Sequence, residues 1–385
     1  MSLALPALTT TRPLQIAIVA PMVEAVPPAL YGGTERVVSV LTEELVRRGH
    51  AVTLFASGDS QTHADLVACT PRALRLDPQA RDHVASTLVQ LDQVYQRAHE
   101  FDLIHNHTDS FAFPFARLTT TPTVTTTHGR LDLAEVRQLY RHFPEQPLIA
   151  ISADQRTRLP GVNWLDTVHN GIDLVNLHFR ASSGDYLVFL GRISPEKRPD
   201  RAIEIARDAG MRLVIAAKVE PADQAYYDHA ILPQIRQSPR VEYIGEVDER
   251  GKDALLGGAY AYLFPIDWPE PFGLTMVEAM ATGTPVVAYR AGSVPEVVAD
   301  GVTGFICDTV HDMVEAIPRV RDLDRRACRA HVERLFSPAA MADGYERAYT
   351  TLLDARCAPP GRLARAESVE MTASALWSAA GVMGQ

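Results

Sequence analysis

The amino-acid sequence predicts an α/β protein built of two domains. Short apolar runs of strand length, such as residues 14–20, alternate with amphipathic helical segments along most of the chain, which is typical of parallel sheets flanked by helices. The length of 385 residues exceeds what a single hydrophobic core usually organises. A hydrophobic content of 46% and a charged content of 22% are those of a soluble globular protein. We therefore expect two packed cores, each around its own sheet.

The charge and the cysteine content restrict the partners and the compartment. A net charge of −10 argues against a nucleic acid or an anionic membrane as the main partner. No apolar run is long enough to cross a bilayer, although peripheral contact with a membrane stays open. The N-terminus lacks the basic start and the apolar run of a signal peptide, and the four cysteines have neither metal-binding nor redox spacing. We expect a cytoplasmic protein with reduced thiols.

The first strand is followed by a glycine-containing loop and a helix. The apolar run 14–20 predicts a buried strand, a proline-rich loop leads to Gly32 and Gly33, and apolar residues at helical spacing continue to Gly49. The glycines do not follow the G-x-G-x-x-G spacing of dinucleotide-binding folds and the loop is long, so NAD is not expected as a ligand. Two adjacent glycines do suit a close approach of the backbone to another ligand.

Histidines gather at the predicted carboxyl ends of two further strands. His105 and His107 alternate at the end of one strand, Asp109 follows them, and His128 ends the strand 123–127. A metal site is one interpretation of these side chains, but the pattern offers no third ligand at a fixed spacing. A histidine that only hydrogen-bonds the backbone is another. The glycine after His128 and its place at a strand's carboxyl edge favour a ligand site.

The second half of the chain opens with a strand followed by cations. The apolar run 186–190 predicts the strand, and Gly191, Arg192 and Lys197 follow it before a helix that ends near Gly210. Only three of the 37 basic residues are lysines, which suggests that Lys197 is needed for its compact ammonium group. Two surface cations after a strand are the alternative interpretation.

The most informative stretch surrounds two glutamates. A predicted strand, 262–264, ends in a loop stiffened by three prolines, and a helix then begins near Leu274. Glu270 lies in the loop, and Glu278 lies in the first turn of the helix. Because the loop follows the carboxyl end of a strand, we expect a ligand to bind there.

The start of this helix allows two interpretations. Three amides there have no partner within the helix and suit an anion or sugar hydroxyls; they belong to Phe272, Gly273 and Leu274. Alternatively, Glu278 and Glu296 only close helix starts, because each follows a threonine or serine by three residues in the capping-box pattern. The capping interpretation does not account for Glu270.

Together these segments resemble retaining glycosyltransferases of family 4, also called group 1, which have the GT-B fold of two Rossmann-like domains facing across a cleft. Glu270 and Glu278 resemble the family's E-x7-E signature. Further resemblances are the Gly-Gly loop, His128 with its glycine, Asn-Gly-Ile-Asp at 170–173, Gly191-Arg192 with Lys197, and Gly-Ser-Val-Pro-Glu at 292–296. In the last segment family members carry a second glycine where this chain has serine.

The resemblance implies how the chain divides. It implies an N-terminal domain at 1–168 on the acceptor side and a C-terminal domain at 169–336 on the donor side. A last helix at about 337–355 would return to the first domain, and 357–385 would form a loosely held tail.

The resemblance also implies a role for each candidate site residue. The diphosphate of the donor would be bound by Gly32, Gly33, Arg192 and Lys197, its sugar by Phe272, Gly273 and Leu274, and its base by backbone groups of Gly245, Glu246 and Val247. Glu278 would bind the ribose hydroxyls. The catalytic candidates are Glu270, which would position the donor sugar, and His128, which would lie near the anomeric carbon.

The implied activity is transfer of a hexosyl unit from a nucleotide-diphospho sugar, UDP-glucose first and GDP-mannose next, to a small-molecule, glycan or lipid acceptor. Neither a cofactor nor a metal is expected, because two cations can stabilise the departing diphosphate. The acceptor would attack on the leaving-group face with retention of configuration. A sugar phosphorylase, a nucleotide-sugar epimerase and a non-catalytic nucleotide-sugar binding protein stay open as alternatives, since fold does not settle reaction.

Overall fold

The computed structural model describes residues 12–30 and 32–357. This part of the chain contains two sheets whose strands are all parallel. The first sheet comprises Gln15–Val19 (β1), Ala51–Ser57 (β2), Asp65–Thr70 (β3), Leu103–Asn106 (β4), Thr123–Thr127 (β5), Leu148–Ala150 (β6) and Trp164–Thr167 (β7), in the order β3-β2-β1-β4-β5-β6-β7. The second comprises Tyr186–Arg192 (β8), Arg212–Lys218 (β9), Val241–Gly245 (β10), Ala261–Phe264 (β11), Val286–Tyr289 (β12) and Gly304–Cys307 (β13), in the order β10-β9-β8-β11-β12-β13.

Helices flank both sheets. Those of the first half are Gly33–Arg47 (α1), His83–Gln96 (α2), Phe113–Ala116 (α3), Ala134–His142 (α4) and Ala153–Arg158 (α5). Those of the second half are Pro199–Asp208 (α6), Gln224–Tyr226 (α7), Leu232–Gln237 (α8), Glu249–Gly257 (α9), Leu274–Ala281 (α10), Val294–Val297 (α11), Val310–Ala316 (α12), Arg325–Leu335 (α13) and Pro338–Cys357 (α14). The predicted α/β architecture with two parallel sheets is confirmed.

Parallel pairing brings distant motifs to one edge of each sheet. In the first sheet Asn106 of β4 pairs with Thr125 of β5, so the turns that carry His107 and His128 are neighbours. In the second sheet Arg192 at the end of β8 pairs with Lys218 at the end of β9. Because all strands run in the same direction, their carboxyl ends form the two edges at which ligands bind in such folds.

The last helix packs on the first domain, although it follows the second in the chain. α14 buries Tyr345 and Tyr349 completely, in one hydrophobic core with Leu41 and Leu45 of α1. This fits the predicted helix at about 337–355. The predicted tail at 357–385 lies outside the described residues from 358 onward, and the domain limits at 168 and 336 stay predictions.

The segment 310–335 does not form one continuous helix. The structure divides it into α12, a 3₁₀ turn at Ile317–Asp322 and α13. Pro318 explains the break, because it has no N–H group for the helical ladder and its ring clashes with the preceding turn. Asp324 then begins α13 by accepting a hydrogen bond from the backbone N–H of Arg326.

Within residues 12–30 and 32–357, no helix combines the length and apolar character that a membrane span requires.

Candidate active site

A cleft of about 410 Å³ lies between the two sheets. Its walls come from the carboxyl edges of both, so residues distant in the chain meet there. Nine predicted site residues line it: Gly32, Gly33, His128, Arg192, Lys197, Glu270, Phe272, Gly273 and Leu274. The structure therefore brings together the predicted diphosphate-binding, sugar-binding and catalytic groups.

A smaller pocket of about 120 Å³ adjoins the cleft, and the two share Gly32 and Gly33. Glu278 lines this pocket, together with Glu246 and Val247. Gly245 is not among its lining residues. The predicted ribose and base groups therefore gather beside the cleft, next to the predicted diphosphate groups.

The glycine loop approaches the second domain closely. Gly32 has a φ of 151°, and a Cβ at this position would lie 2.8 Å from Pro28 Cβ, closer than two carbon atoms tolerate. A Cβ on Gly33 would lie 3.4 Å from the Leu274 side chain in the opposite wall. Glycine at these positions lets the start of α1 face the cleft without a side chain in between.

Lys197 and Glu270 form an ion pair in the cleft. The Glu270 carboxylate also accepts a hydrogen bond of 2.9 Å from Trp268 Nε1. Lys197 Nζ lies 4.9 Å from the centre of the Trp268 ring, within range of a cation–π interaction. Two charged side chains from different strand ends are thus held together at the predicted site of the departing phosphate and the sugar.

The loop that carries Glu270 is fixed by the segment after β12. Ser293 donates from its backbone N–H to the Glu270 carbonyl at 3.0 Å and from its hydroxyl to the Phe272 carbonyl at 2.7 Å. Gly292 has a φ of 54° and packs directly on the Glu270 backbone, where no Cβ fits. Ser293 at the place of the family's second glycine therefore braces the loop that carries Glu270.

Arg192 extends from the end of β8 into the same cleft. Its guanidinium pairs with Glu196 and lies 3.7 Å from an Asp223 oxygen. Its Nε atom is buried and has no hydrogen-bond partner among the described residues. A buried donor without a partner is costly, so this atom is suited to a ligand oxygen.

Glu278 does not cap its own helix, so the capping-box interpretation is wrong for it. α10 begins at Gly273 in a left-handed conformation with no side-chain cap. The Glu278 carboxylate instead accepts a hydrogen bond of 2.5 Å from Lys252 Nζ of α9. Lys252 also pairs with Glu249, which in turn pairs with Arg36 of α1 at 2.9 Å. This chain of charges joins the two domains beside the smaller pocket.

Three histidines form a cluster at the cleft wall, in which His105 and His107 are buried and His128 is half-buried. His107 Nδ1 and His128 Nε2 share a hydrogen bond of 2.8 Å. The ring nitrogens of His105 are both engaged, by Tyr349 at 2.7 Å and Thr126 at 2.8 Å. Burial lowers the pKa of His105 to about 3 and that of His128 to about 4, so both rings are neutral at pH 7.

This cluster does not support the metal interpretation. Across residues 12–30 and 32–357, no three His, Cys, Asp or Glu side chains are arranged to hold a metal ion. Asp109 is half-buried and accepts a hydrogen bond from the backbone N–H of His128 at 3.3 Å. Burial raises the pKa of Asp109 to about 6. The cluster positions His128 at the cleft wall.

Sequence reasoning missed several residues that line the two pockets. They are Glu24, Glu35, Arg75, Asn170, Trp268 and Lys252. Lysine scarcity was the one available signal for Lys252. Glu35 lies two residues after the glycine pair, and Asn170 begins the Asn-Gly-Ile-Asp segment, so both could have been singled out. Glu24, Arg75 and Trp268 stand in no motif that marks them.

Glu296 joins the two domains, so the capping-box interpretation is wrong for it as well. Its carboxylate accepts hydrogen bonds from the backbone N–H groups of Ala153 at 2.6 Å and Asp154 at 2.8 Å, at the start of α5. His169 Nε2 lies 3.2 Å from the same carboxylate. Burial alone would raise the pKa of Glu296, but these hydrogen bonds lower it.

Replacing Glu296 by alanine is expected to lower the free energy of unfolding by about 2 kcal/mol, because two charge-assisted hydrogen bonds are lost. Since the folded-state pKa is lowered, this contribution is complete above the ordinary glutamate pKa of about 4.3 and disappears as the pH falls through the folded value. Urea titrations at pH 7 and at a series of pH values stepped below 4 measure it. The exposed Glu315→Ala is the control, and equal losses in both variants would contradict the assignment.

The chain matches two family signatures in succession. The signature described as Glycosyltransferase Family 4 matches residues 31–176, and that described as Glycosyl transferases group 1 matches residues 178–330. The first covers the domain with Gly33 and His128, and the second covers the domain with Lys197 and Glu270.

Relatives and solved structures agree with these signatures. The chain is 27% identical to a D-inositol 3-phosphate glycosyltransferase of Mycolicibacterium smegmatis, over 87% of this chain and 90% of the relative. It is 29% identical to a glycogen synthase of Mycobacterium tuberculosis, over 81% and 88%. Its fold is similar to that of HepE from Anabaena in complex with UDP and glucose, with a TM-score of 0.67, 21% identity, and coverage of 88% of this chain and 100% of that one. Because both signatures match in order and the relatives align along most of its length, the chain belongs to the family 4, group 1 glycosyltransferases of the GT-B fold.

Proposed function

We propose that the enzyme transfers a hexosyl unit from a nucleotide-diphospho sugar, UDP-glucose first and GDP-mannose next, to an acceptor hydroxyl with retention of configuration. The observation that carries this proposal is the arrangement of charge across the cleft. Arg192 and Lys197 stand on one wall, and the glycine start of α1 faces them from the other. Together they suit a diphosphate held between the two domains.

The two cations supply the electrostatic part of catalysis in this proposal. Negative charge grows on the diphosphate as its bond to the sugar breaks, and fixed positive groups lower the energy of that state. The buried Nε of Arg192 has no hydrogen-bond partner among the described residues and lies 3.7 Å from an Asp223 oxygen, so it is free to donate a hydrogen bond to a diphosphate oxygen. As negative charge develops on the phosphate, the Lys197 ammonium exchanges its contact with the Glu270 carboxylate for a contact with the phosphate.

The acceptor is proposed to attack on the same face as the leaving group, and the departing phosphate takes its proton. In support, the Glu270 carboxylate is engaged by Lys197 and by Trp268, which suits a group that positions the sugar better than a covalent nucleophile. His128 is neutral and can therefore accept or donate a hydrogen bond near the anomeric carbon without adding charge.

The donor is tested by a binding panel followed by product analysis. Thermal shift and calorimetry with UDP, GDP and ADP identify the base, and mass spectrometry of acceptor mixtures identifies the sugar transferred. The anomeric configuration of the product, read by NMR, tests retention. A transferase releases nucleoside diphosphate in proportion to glycosylated acceptor, whereas an epimerase or a binding protein does not. Failure of all three nucleotides to bind would contradict the proposal.

Turnover is expected to persist in excess EDTA, because Arg192 and Lys197 stabilise the leaving group without a metal. The measurement compares initial rates before and after chelation, with a metal-dependent glycosyltransferase assayed in parallel as a control for complete removal. Loss of activity on chelation, with recovery on addition of Mg²⁺ or Mn²⁺, would contradict the metal-independent mechanism.

A further inference from the structure

The wall of the cleft that belongs to the first domain carries two buried carboxylates. Glu24 and Glu35 are 8% and 5% exposed, and both line the cleft opposite Arg192 and Glu270. Arg75 Nη1 pairs with Glu24 Oε1 at 2.8 Å. Burial raises the pKa of the Glu35 carboxyl group, and the nearby backbone of Glu35 and Glu24 partly offsets that rise. These side chains have no part in the donor-binding scheme.

The two walls differ in charge. On the donor wall the cleft-lining ionisable side chains are Arg192, Lys197 and Glu270, which amount to one net positive charge. On the opposite wall they are Arg75, Glu24, Glu35 and the neutral His128, which amount to one net negative charge when both carboxyl groups are ionised. The donor's diphosphate is therefore attracted to the first wall, and a second anion is repelled from the other.

Asn170 adds an independent observation. It is 3% exposed and lines the cleft, and its Oδ1 atom is buried without a hydrogen-bond partner among the described residues. A buried acceptor without a partner is costly, so this atom is suited to a hydrogen-bond donor from a ligand. Carboxylate oxygens are acceptors too. The Asn170, Glu24 and Glu35 oxygens all accept hydrogen bonds, so a ligand bound here has to donate them. Hydroxyl groups donate hydrogen bonds, whereas ionised phosphate oxygens do not.

We propose that the acceptor is an uncharged polyhydroxylated molecule, a sugar or a polyol, whose hydroxyls are bound by Glu24, Glu35 and Asn170. This rests on the proposed function for the donor half of the cleft. It separates this chain from relatives named for D-inositol 3-phosphate, because the wall that would receive a phosphorylated acceptor carries excess negative charge.

A purely structural role makes a different prediction. Glu35 lies in the first turn of α1, where a carboxylate interacts favourably with the helix dipole, and Glu24 could serve only to hold Arg75. In that case Glu35→Gln and Glu24→Gln would lower the melting temperature and leave acceptor kinetics unchanged.

The test uses matched acceptor pairs with the full-length enzyme and the nucleotide sugar selected by the donor panel. The pairs are glucose with glucose 6-phosphate, and myo-inositol with myo-inositol 3-phosphate. Rates are measured at alkaline pH, where both carboxyl groups are ionised, because burial raises the pKa of each. Saturation-transfer NMR with the nucleoside diphosphate complex measures binding of the same four compounds. We expect the uncharged member of at least one pair to bind and to be glycosylated at least tenfold more efficiently.

The variants assign the effect to the wall. Glu35→Gln is expected to raise the KM for the uncharged acceptor about tenfold, the effect of one weakened charge-assisted hydrogen bond, with unchanged affinity for the nucleoside diphosphate. The double variant Glu24→Gln, Glu35→Gln removes two negative charges and should shift the preference toward the phosphorylated member. Glu44→Gln, on the same helix and buried away from the cleft, is the control and should leave the KM unchanged.

Three outcomes overturn the inference. They are preference of the wild type for a phosphorylated member, an unchanged KM in Glu35→Gln, and no binding of any of the four compounds at about 10 mM, above the usual range of Michaelis constants. If the nucleoside diphosphate binds and donor is consumed in any of these cases, the proposed glycosyl transfer stands and only the acceptor assignment fails.

Discussion

Replacing Lys197 by alanine is expected to lower kcat about 10²- to 10³-fold, the loss typical of a single preorganised group that stabilises transition-state charge. Lys197 is ion-paired with Glu270 and stacked near Trp268, so its ammonium is held where the diphosphate departs. The loss should appear in kcat with saturating donor, because the interaction strengthens as the bond breaks. Steady-state kinetics with the donor identified by the panel measures it.

Two further variants test whether the loss of kcat comes from the missing positive charge at this position. Lys197→Arg keeps the charge but changes its shape, and we expect an intermediate rate. Arg212→Ala removes an exposed cation at the start of β9, where Arg212 pairs with Glu242, and should leave kcat unchanged. Melting temperatures of all three variants exclude unfolding as the cause. Near-normal turnover of Lys197→Ala with saturating donor would contradict the assignment of Lys197 to the donor diphosphate.

Replacing each of the two glutamates of the E-x7-E signature by glutamine is expected to change different kinetic constants. Glu270→Gln should lower kcat more than it raises KM, because Glu270 is proposed to act on the sugar ring that develops positive charge. Glu278→Gln should mainly raise the KM and the Kd for the donor, because ribose hydroxyls do not react. The structure places Glu270 in the larger cleft and Glu278 in the adjoining pocket, which supports this separation.

The Lys252 contact adds a second effect for Glu278. Lys252 is buried and donates to Glu278, so Glu278→Gln also weakens an ion pair and is expected to lower the melting temperature. Calorimetric titration of the nucleoside diphosphate against the wild type and both variants separates affinity from stability. Unchanged affinity in Glu278→Gln, together with a lowered melting temperature, would assign Glu278 to structure alone.

Much of the candidate site was predictable because the relevant signals are local. A buried apolar run such as 14–20 specifies a strand through its own composition. A parallel strand then carries whatever follows it to the carboxyl edge of its sheet, which is why Gly33, His128, Arg192 and Glu270 could be assigned to one edge or the other before any packing was known. The break at Pro318 follows from the same local rules, because proline cannot continue a helix.

The partners of these residues were decided by the tertiary structure alone. The capping-box pattern assigned Glu278 and Glu296 to their own helices, yet one binds Lys252 of another helix and the other caps α5 across the domain boundary. The first-domain wall of the cleft joins Glu24 with Arg75, which share no motif. Local sequence determines the helices, the strands and the strand ends from which side chains emerge. The angle and the distance between the two sheets depend instead on the packing of both cores and of α14. That packing determines which charged side chains meet.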